Sequence, residues 1–448
     1  MARHMIPDPS RAPGSFPASQ VSAPDRSWDL LLICVAGYIA TAVGRIHELF
    51  PALMVLRPTF VAAALATGVY IVHQAGPRRI ERLRAPTTTY VMALLLWVAL
   101  SVPGALYPGM AFNLLTEIFI KTVVLYLLIV GSVRGFRDVE RLAFTYFAVA
   151  ALYAATVLMR FDVGGGSDWR LGSLYYYDTN DFATYAVTAL PLGLYFMFGR
   201  HPLPQRLLSA VGIALLAVGF VRSGSRGGFL AIIAVALFIL FGFETIRARW
   251  RVLGMGLVAA IFVATASDRY WSQMRTIVVG DRDYNRTSET GRWQIWRRGI
   301  GYMLQHPVLG VGAYNFPVAE GTISPLAKRQ AYGIGVRWSA AHNSFIQIGA
   351  ELGLPGLFFL VAVIATAFVA LRSVVRGQGR EPVKSRGPPQ LAQALTGSLI
   401  GFGVGAFFLS LAYHEMAYAV LALAVALRKV TLAPGPTRLS TVARRPAW

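Results

Sequence analysis

Charge is what this chain has least of. Only 14% of its 448 residues are charged, where a soluble globular domain has about 25%. Acidic side chains are the scarcest: 21 Asp and Glu stand against 42 Lys and Arg, a formal charge of +21. There is one cysteine, Cys34, inside an apolar run, which excludes a disulfide scaffold. No HExxH, no paired His/Cys spacing, no Walker loop and no Rossmann fingerprint is present, so no metal and no cofactor is expected. What abounds is apolar: 55% hydrophobic residues and a mean hydropathy of +0.53. That much apolar mass excludes disorder over most of the length. Together the excess and the deficit mark an integral membrane protein, with a lipid bilayer rather than nucleic acid as its surroundings.

A helix needs about 20 mostly apolar residues to cross the hydrocarbon core. Twelve runs approach that length: 28–44, 58–74, 87–104, 114–133, 141–160, 182–198, 206–221, 227–243, 251–267, 343–371, 391–411 and 416–430. Gly353, Pro355 and Gly356 interrupt the tenth. The predicted fold is all-α, a bundle of about twelve transmembrane helices. Basic residues concentrate in alternate connections, including Arg78, Arg79, Arg82, Arg84, Arg247, Arg249, Arg251, Arg372, Arg376 and Arg380. By the positive-inside rule those connections and both termini face the cytoplasm. The predicted organisation is a disordered cytoplasmic tail over 1–27, helices one to nine over 28–267, an outer loop over 268–341, helices ten to twelve over 342–430, and a cytoplasmic tail over 431–448. The first apolar run is too long, and lacks the cleavage site, for a secretory signal. Residues 376–390 read as a flexible cytoplasmic loop. No internal or inverted repeat of the transporter kind is visible.

The outer loop has structure of its own. Trp293, Ile295, Trp296, Ile300 and Met303 recur at helical spacing, with Thr290 placed to cap that helix and His306-Pro307 to end it. Residues 309–317 (LGVGAYNFP) form a Gly-rich turn. The loop is predicted to be a small, mostly helical cap on the outer face.

Several polar groups at that face are candidates for chemistry. Arg222 and Arg226 flank a Gly/Ser turn, RSGSRGG, between spans seven and eight. Two guanidinium groups so placed can hold a phosphate or diphosphate, and a following helix N-terminus adds amide donors. The alternative is that both snorkel to the interface. His342 opens span ten beside Asn343, with Gln347 and Glu351 on related faces. A neutral imidazole there can take a proton from a sugar hydroxyl, or it merely caps the helix. The stretch 170–183 joins Arg170 and a tyrosine cluster to Asp-Thr-Asn-Asp, with Asn180 among them. It suits sugar stacking and hydroxyl recognition, or an interfacial aromatic belt with a capped helix start. Asp281-Arg282-Asp283 reads as a salt-bridged loop rather than a metal site. His47, His306 and His414 are outside with no similar polar cluster.

Four motifs in order carry a resemblance: RLGSLYYYDTNDFA (170–183), SGSRGGFLA (223–231), TGRWQIWRRGIGYMLQHPVLGVGAYNF (290–316) and HNSFIQIGAELGLPG (342–356). Together they resemble the O-antigen ligase and polysaccharide polymerase superfamily of bacterial surface-glycan assembly. The resemblance implies a GT-C-like glycosyltransferase with a periplasmic cap, in the bacterial inner membrane, its site facing the periplasm. It implies an undecaprenyl-diphosphate-linked glycan as donor, and lipid A–core (ligase) or a growing glycan (polymerase) as acceptor. Metal-independent, inverting transfer is implied too. Carried over by position, Arg222 and Arg226 hold the diphosphate, Arg292 and Arg170 are further cations facing the donor, and His342 sits at the reacting centre. Asn343, Glu351 and Asn180 support them. The leading expectation is the ligase, with a repeat-unit polymerase for O-antigen or exopolysaccharide as the alternative. A transporter, which would place charges at midplane depth in several spans, fits less well.

Overall fold

The structure is a computed structural model that describes residues 27–160, 171, 177–243, 247–277, 285, 288–329, 337–377 and 387–432. Arg170, most of the tyrosine cluster, Asp281-Arg282-Asp283, and most of the two tails and the 376–390 loop lie outside the described residues. Among the described residues all regular structure is helical.

The helices begin where the sequence provides for their unpaired first-turn amides. At α1 (Leu30–Ala42) the Asp29 carboxylate accepts the Leu32 N–H at 3.0 Å. A single turn, α2 (Pro51–Met54), precedes α3 (Pro58–Val72). Helices α3, α4 (Pro86–Ser101) and α5 (Pro108–Asn113) open on proline, whose missing N–H has no intrahelical acceptor at that position anyway. A π-helical stretch, Leu114–Phe119, joins α5 to α6 (Ile120–Ser132). After α7 (Phe136–Arg160), a capping box of Asp178 and Asp181 starts α8 (Thr179–Phe198). Then come α9 (Leu203–Ser223), α10 (Arg226–Leu237), α11 (Ala248–Thr265) and α12 (Asp268–Arg275). Short helices α13 (Arg292–Gln305), α14 (Phe316–Thr322) and α15 (Pro325–Arg329) come next. The long α16 (Ser344–Gly377), α17 (Gly387–Ala406) and α18 (Glu415–Leu432) complete the described chain.

Each of the twelve apolar runs falls on a helix. Among the described residues, six helices are long and apolar enough to cross a membrane: Ala52–Val72, Pro108–Ser132, Phe136–Arg160, Thr179–Phe198, Leu203–Ser223 and Ser344–Gly377. A seventh candidate is the pair Ala248–Ala264 and Asp268–Arg275, bent by 106°. The chain is therefore a multi-pass helical membrane protein. Helices α8 and α18 are buried along nearly their whole length, whereas α3 exposes most of its surface. Small residues let the central helices approach closely, because packing rather than water exclusion drives helix association in lipid. Gly193 and Gly212 both abut Phe147, and Gly405 lies against Thr184.

The break in α16 seats the cap of short helices α13 to α15. Pro355 has no N–H, so the Glu351 carbonyl loses its helical donor. Gly353 adopts φ +69°, and the chain bends. The Gly-rich turn after α13 satisfies the freed carbonyls: Val311 N–H donates to Ala350 O at 2.9 Å and Gly312 N–H to Glu351 O at 3.0 Å. In return Leu354 N–H donates to Pro307 O at 2.8 Å, and the Trp97 indole N–H donates to Leu352 O at 3.0 Å. A Cβ at Gly353 would stand 2.5 Å from both the Pro307 and the Val308 carbonyl oxygens, so close backbone approach requires glycine here.

The three short helices form the cap, with a small core of Ile295, Tyr302, Val311, Phe316, Ala319, Ala341 and Ala350. Arg298 pairs with buried Glu320 within it, and Tyr302 O–H donates to the same carboxylate at 2.8 Å. Two details differ from the sequence expectation. Gly291, not Thr290, is the N-cap of α13; Thr290 instead shares a hydroxyl hydrogen bond with Ser288. Trp293 and Ile300 point outward, and the buried face carries Ile295, Gly299 and Tyr302.

Candidate functional site

The turn between α9 and α10 is built by its small residues. Gly224 takes the left-handed conformation that ends α9, at φ +60°. Ser225 caps α10, its hydroxyl accepting Gly228 N–H at 3.1 Å. A Cβ at Gly227 would strike the Phe408 side chain, so glycine lets α10 lie against the 407–409 turn. Arg222 thus closes one helix and Arg226 opens the next.

A pocket of about 100 Å³ lies at this junction, lined by Asn180, Ser225, Arg226, Gly227, Gln273, Arg292, Phe408 and Leu409. The fold thereby brings together Asn180 from the first turn of α8, Arg226 from that of α10 and Arg292 from that of α13. Among the described residues no carboxylate lines the pocket. The N-termini of α10 and α13 add their positive dipole ends to two guanidinium groups, a lining whose chemistry suits an anion, while the Asp178 and Asp181 carboxylates offset the dipole of α8. Arg226 is oriented by a hydrogen bond to Thr276 Oγ1 at 2.9 Å, and Gln273 is tied to Gly224 O at 2.7 Å.

Arg222 stands differently. Its carbonyl accepts Leu171 N–H at 2.9 Å, but its side chain does not line the pocket. The reversal at Gly224 puts the two arginines on separate helices, so their spacing of four does not put them on one face of one helix. Arg170 lies outside the described residues.

His342 sits beside the pocket. Its backbone N–H donates to Ser410 Oγ at 2.9 Å, just past the pocket-lining Leu409. The Trp296 indole N–H donates to Ala341 O at 3.0 Å and so ties this point to the helix that carries Arg292. His342 has φ +49°, an uncommon conformation for a side-chain-bearing residue and one found where structure over-determines the backbone. Burial, the Arg292 charge and the Arg337 charge push its imidazole down to a pKa of about 4, against an opposing pull from Asp178. The ring is neutral near pH 7.

Asn343 and Glu351 act one step back. The Asn343 side-chain Oδ1 accepts Phe345 and Ile346 N–H groups at 2.9 and 3.0 Å, starting α16. Ser344 pins the same point, donating to Leu409 O and accepting from Leu411 N–H. Glu351 is fully buried and accepts from Tyr413 O–H at 2.8 Å and Phe316 N–H at 3.3 Å. It ties α16 to the Gly-rich turn and to the loop before α18, and it does not line the pocket.

Sequence reasoning missed Gln273, Thr276 and the 407–410 turn, which carry no motif. It also set His414 and His47 aside. His414 packs against Tyr177, ring centroids 5.3 Å apart, and precedes Glu415, which pairs with Arg45. His47 adjoins the same ion pairs. Lys121 and Glu117 pair with each other at 2.7 Å beside this second cluster.

Similarity to a known family covers this segment. Residues 211–361 match the family model described as O-antigen ligase. A stretch of 128 residues is 30% identical to the exopolysaccharide production protein ExoQ of Rhizobium meliloti (strain 1021), covering 28% of this chain and 26% of the relative. The match thus spans about a quarter of that relative's length. The resemblance to the O-antigen ligase and polymerase superfamily therefore holds over the segment that contains Arg222, Arg226, Arg292 and His342.

Proposed function

We propose that this chain, whose residues 211–361 match the O-antigen ligase family, is a membrane glycosyltransferase that moves a glycan from a polyprenyl diphosphate to a sugar hydroxyl. The observation that carries the reading is the convergence of Arg226, Arg292 and Asn180 on one carboxylate-free pocket among the described residues, with His342 alongside. In this reading the undecaprenyl diphosphate lies against Arg226, Arg292 and the first turn of α10. The acceptor oxygen attacks the anomeric carbon from the side opposite the diphosphate, which inverts the centre. The carbon–oxygen bond to the diphosphate breaks, and its electron pair leaves with the phosphate oxygen. His342 takes the hydroxyl proton. Fixed guanidinium groups bind the departing charge more tightly than the ground-state diester, so their stabilisation falls on the transition state.

The electrostatics of His342 suit an ordered reaction. A base with a pKa near 4 is weak at neutral pH. A bound diphosphate offsets the fields of Arg292 and Arg337, and so raises the affinity of the imidazole for a proton when the donor is in place. Arg222 acts outside the pocket, at the end of α9. The twelve apolar segments are read as twelve spans with both termini cytoplasmic, which puts the pocket and the cap on the periplasmic side of a bacterial inner membrane.

The acceptor separates two members of the superfamily. Transfer to lipid A–core makes the protein a ligase, and transfer to another carrier-linked repeat makes it a polymerase. The family description favours the first, and the name of the exopolysaccharide relative favours the second. The test is a transfer assay with purified, reconstituted protein and a polyprenyl-diphosphate-linked repeat, with and without lipid A–core. Glycan on lipid A–core identifies a ligase; lengthening of the carrier-linked glycan identifies a polymerase. Neither product, with a donor verified as native, refutes glycosyl transfer.

A further inference from the structure

At the same end of the bundle lies a second and larger cleft, of about 520 Å³, lined by Tyr38, Arg45, Glu48, Arg57, Lys121 and Glu415 among others. It is separated from the first pocket by a short wall. Tyr177, three residues before the pocket-lining Asn180, donates its O–H to Val43 O at 2.7 Å and packs on His414. Val43 and His414 each adjoin a residue of the cleft, Ala42 and Glu415.

The chemistry of the cleft is opposite to that of the first pocket, where the charged lining among the described residues is all positive. Here carboxylates match cations: Arg45 bridges Glu48 and Glu415, and Lys121 pairs with Glu117. One acceptor is left over. Glu415 is 4% exposed, and its Oε2 has no hydrogen-bond partner among the described residues, although Oε1 binds Arg45. The nearest ring nitrogen, His414 Nδ1, stands 3.6 Å from Oε2. A buried carboxylate oxygen without a donor is costly and calls for one. Arg45 and Arg57, which present charges to the cleft, both hold left-handed backbone at φ +43°, a strain found where a side chain is aimed for function. Donors and acceptors in alternation, with little net charge, recognise a neutral polyol rather than an anion.

We propose that this cleft binds sugar hydroxyls of the acceptor glycan, with Glu415 accepting a hydrogen bond from one hydroxyl and Arg45 and Arg57 donating to others. The inference rests on the glycosyl-transfer reading for the identity of its ligand. The two pockets then divide the substrates by charge: diphosphate at Arg226 and Arg292, acceptor sugar at Arg45, Arg57 and Glu415.

Two lining residues outside the core test this without disturbing it: Arg57→Asn, because Asn tolerates the left-handed backbone, and Lys121→Gln. Glu415→Gln is the third variant, with its melting temperature recorded. Two probes are titrated onto reconstituted protein: core oligosaccharide freed from lipid A, and a single repeat-unit oligosaccharide, both from the host bacterium. The expected result is that one probe binds the wild type, and that Arg57→Asn and Glu415→Gln weaken it about tenfold while Arg226→Gln does not. In the transfer assay the same variants raise the acceptor KM about tenfold and leave the donor KM unchanged. Binding of neither probe, or equal binding to all variants, overturns the proposal. So does a response of the cleft variants to phosphatidylglycerol in the nanodisc but not to glycan, which makes the cleft a lipid-headgroup site. Because the binding arm does not depend on turnover, an inactive wild type that still binds glycan through Arg57 and Glu415 refutes the transfer reading and leaves the glycan site standing.

Discussion

The sharpest prediction is an asymmetry between two arginines that the sequence presents as a pair. Arg226 lines the anion pocket and is held by Thr276; Arg222 ends α9 with its side chain outside that lining. If the pocket holds a diphosphate leaving group, Arg226→Gln removes a fixed donor aimed at developing charge. Loss of one such donor costs about 2.7–4 kcal/mol, or about 10²–10³ in kcat. Arg222→Gln changes only a half-buried side chain near the helix end, an effect within about 0.5 kcal/mol, or about threefold or less. Arg226→Lys keeps the charge but loses the planar fork, and recovers to within about tenfold of wild type. Thr276→Val, which removes the tether and leaves the guanidinium, costs about 1 kcal/mol through the lost hydrogen bond, about fivefold in rate. The assay is initial-rate glycan transfer by reconstituted protein at saturating acceptor, with melting temperatures for every variant. The expected signature is a loss far greater at Arg226 than at Thr276, and greater at Thr276 than at Arg222. Equal losses at Arg222 and Arg226 in folded proteins would refute the division of roles, because it derives from the turn at Gly224 and from nothing in the sequence spacing.

Three further outcomes rest on the same structure. Burial pushes the imidazoles of His342 and His414 down to a pKa of about 4, while the unfolded chain titrates at the ordinary value near 6.5. Between those values the unfolded state binds more protons, so stability is full above about pH 6.5 and falls as pH drops toward 4, by up to about 1.4 kcal/mol per pH unit for each histidine. A melting curve of His414→Gln should therefore depend less on pH across that window than the wild type does; identical slopes would contradict it. Arg298→Met leaves the Glu320 carboxylate buried beside Tyr302 without its cation, and should destabilise the cap by about 3–5 kcal/mol, with Arg298→Met/Glu320→Leu recovering most of the loss. Limited proteolysis of the cap reads this out, and a cap equally resistant in the single variant would speak against it. Gly353→Ala forces a Cβ against two carbonyl oxygens at φ +69°, and should cost at least about 2 kcal/mol of stability, visible as a lower melting temperature.

How much of this was legible in the sequence depends on whether the signal was local. The apolar runs are local, and each became a helix. The break in span ten was local too, because Gly353, Pro355 and Gly356 stand together. What the sequence did not contain was the use made of that break. The carbonyls of Ala350 and Glu351, orphaned by the bend, are taken by amides of Val311 and Gly312 from the turn after α13. That exchange seats the cap and places Arg292 near His342. The motifs named Arg226, Arg292, Asn180 and His342, but paired Arg222 with Arg226 across the Gly/Ser turn, whose left-handed Gly224 leaves only Arg226 lining the pocket. The assembly of the second cleft had no local signature. Arg45 and Glu415, 370 residues apart, meet only when the ends of α1 and α18 come together in space. His414 looked isolated for the same reason: its neighbours Tyr177 and Arg45 come from other parts of the chain. In a membrane protein this division is general. The bilayer imposes a local rule on the spans, which sequence pattern records. The polar site is assembled from helix ends and turns that meet in space, and only the chemistry each one carries, not their meeting, is written in the sequence.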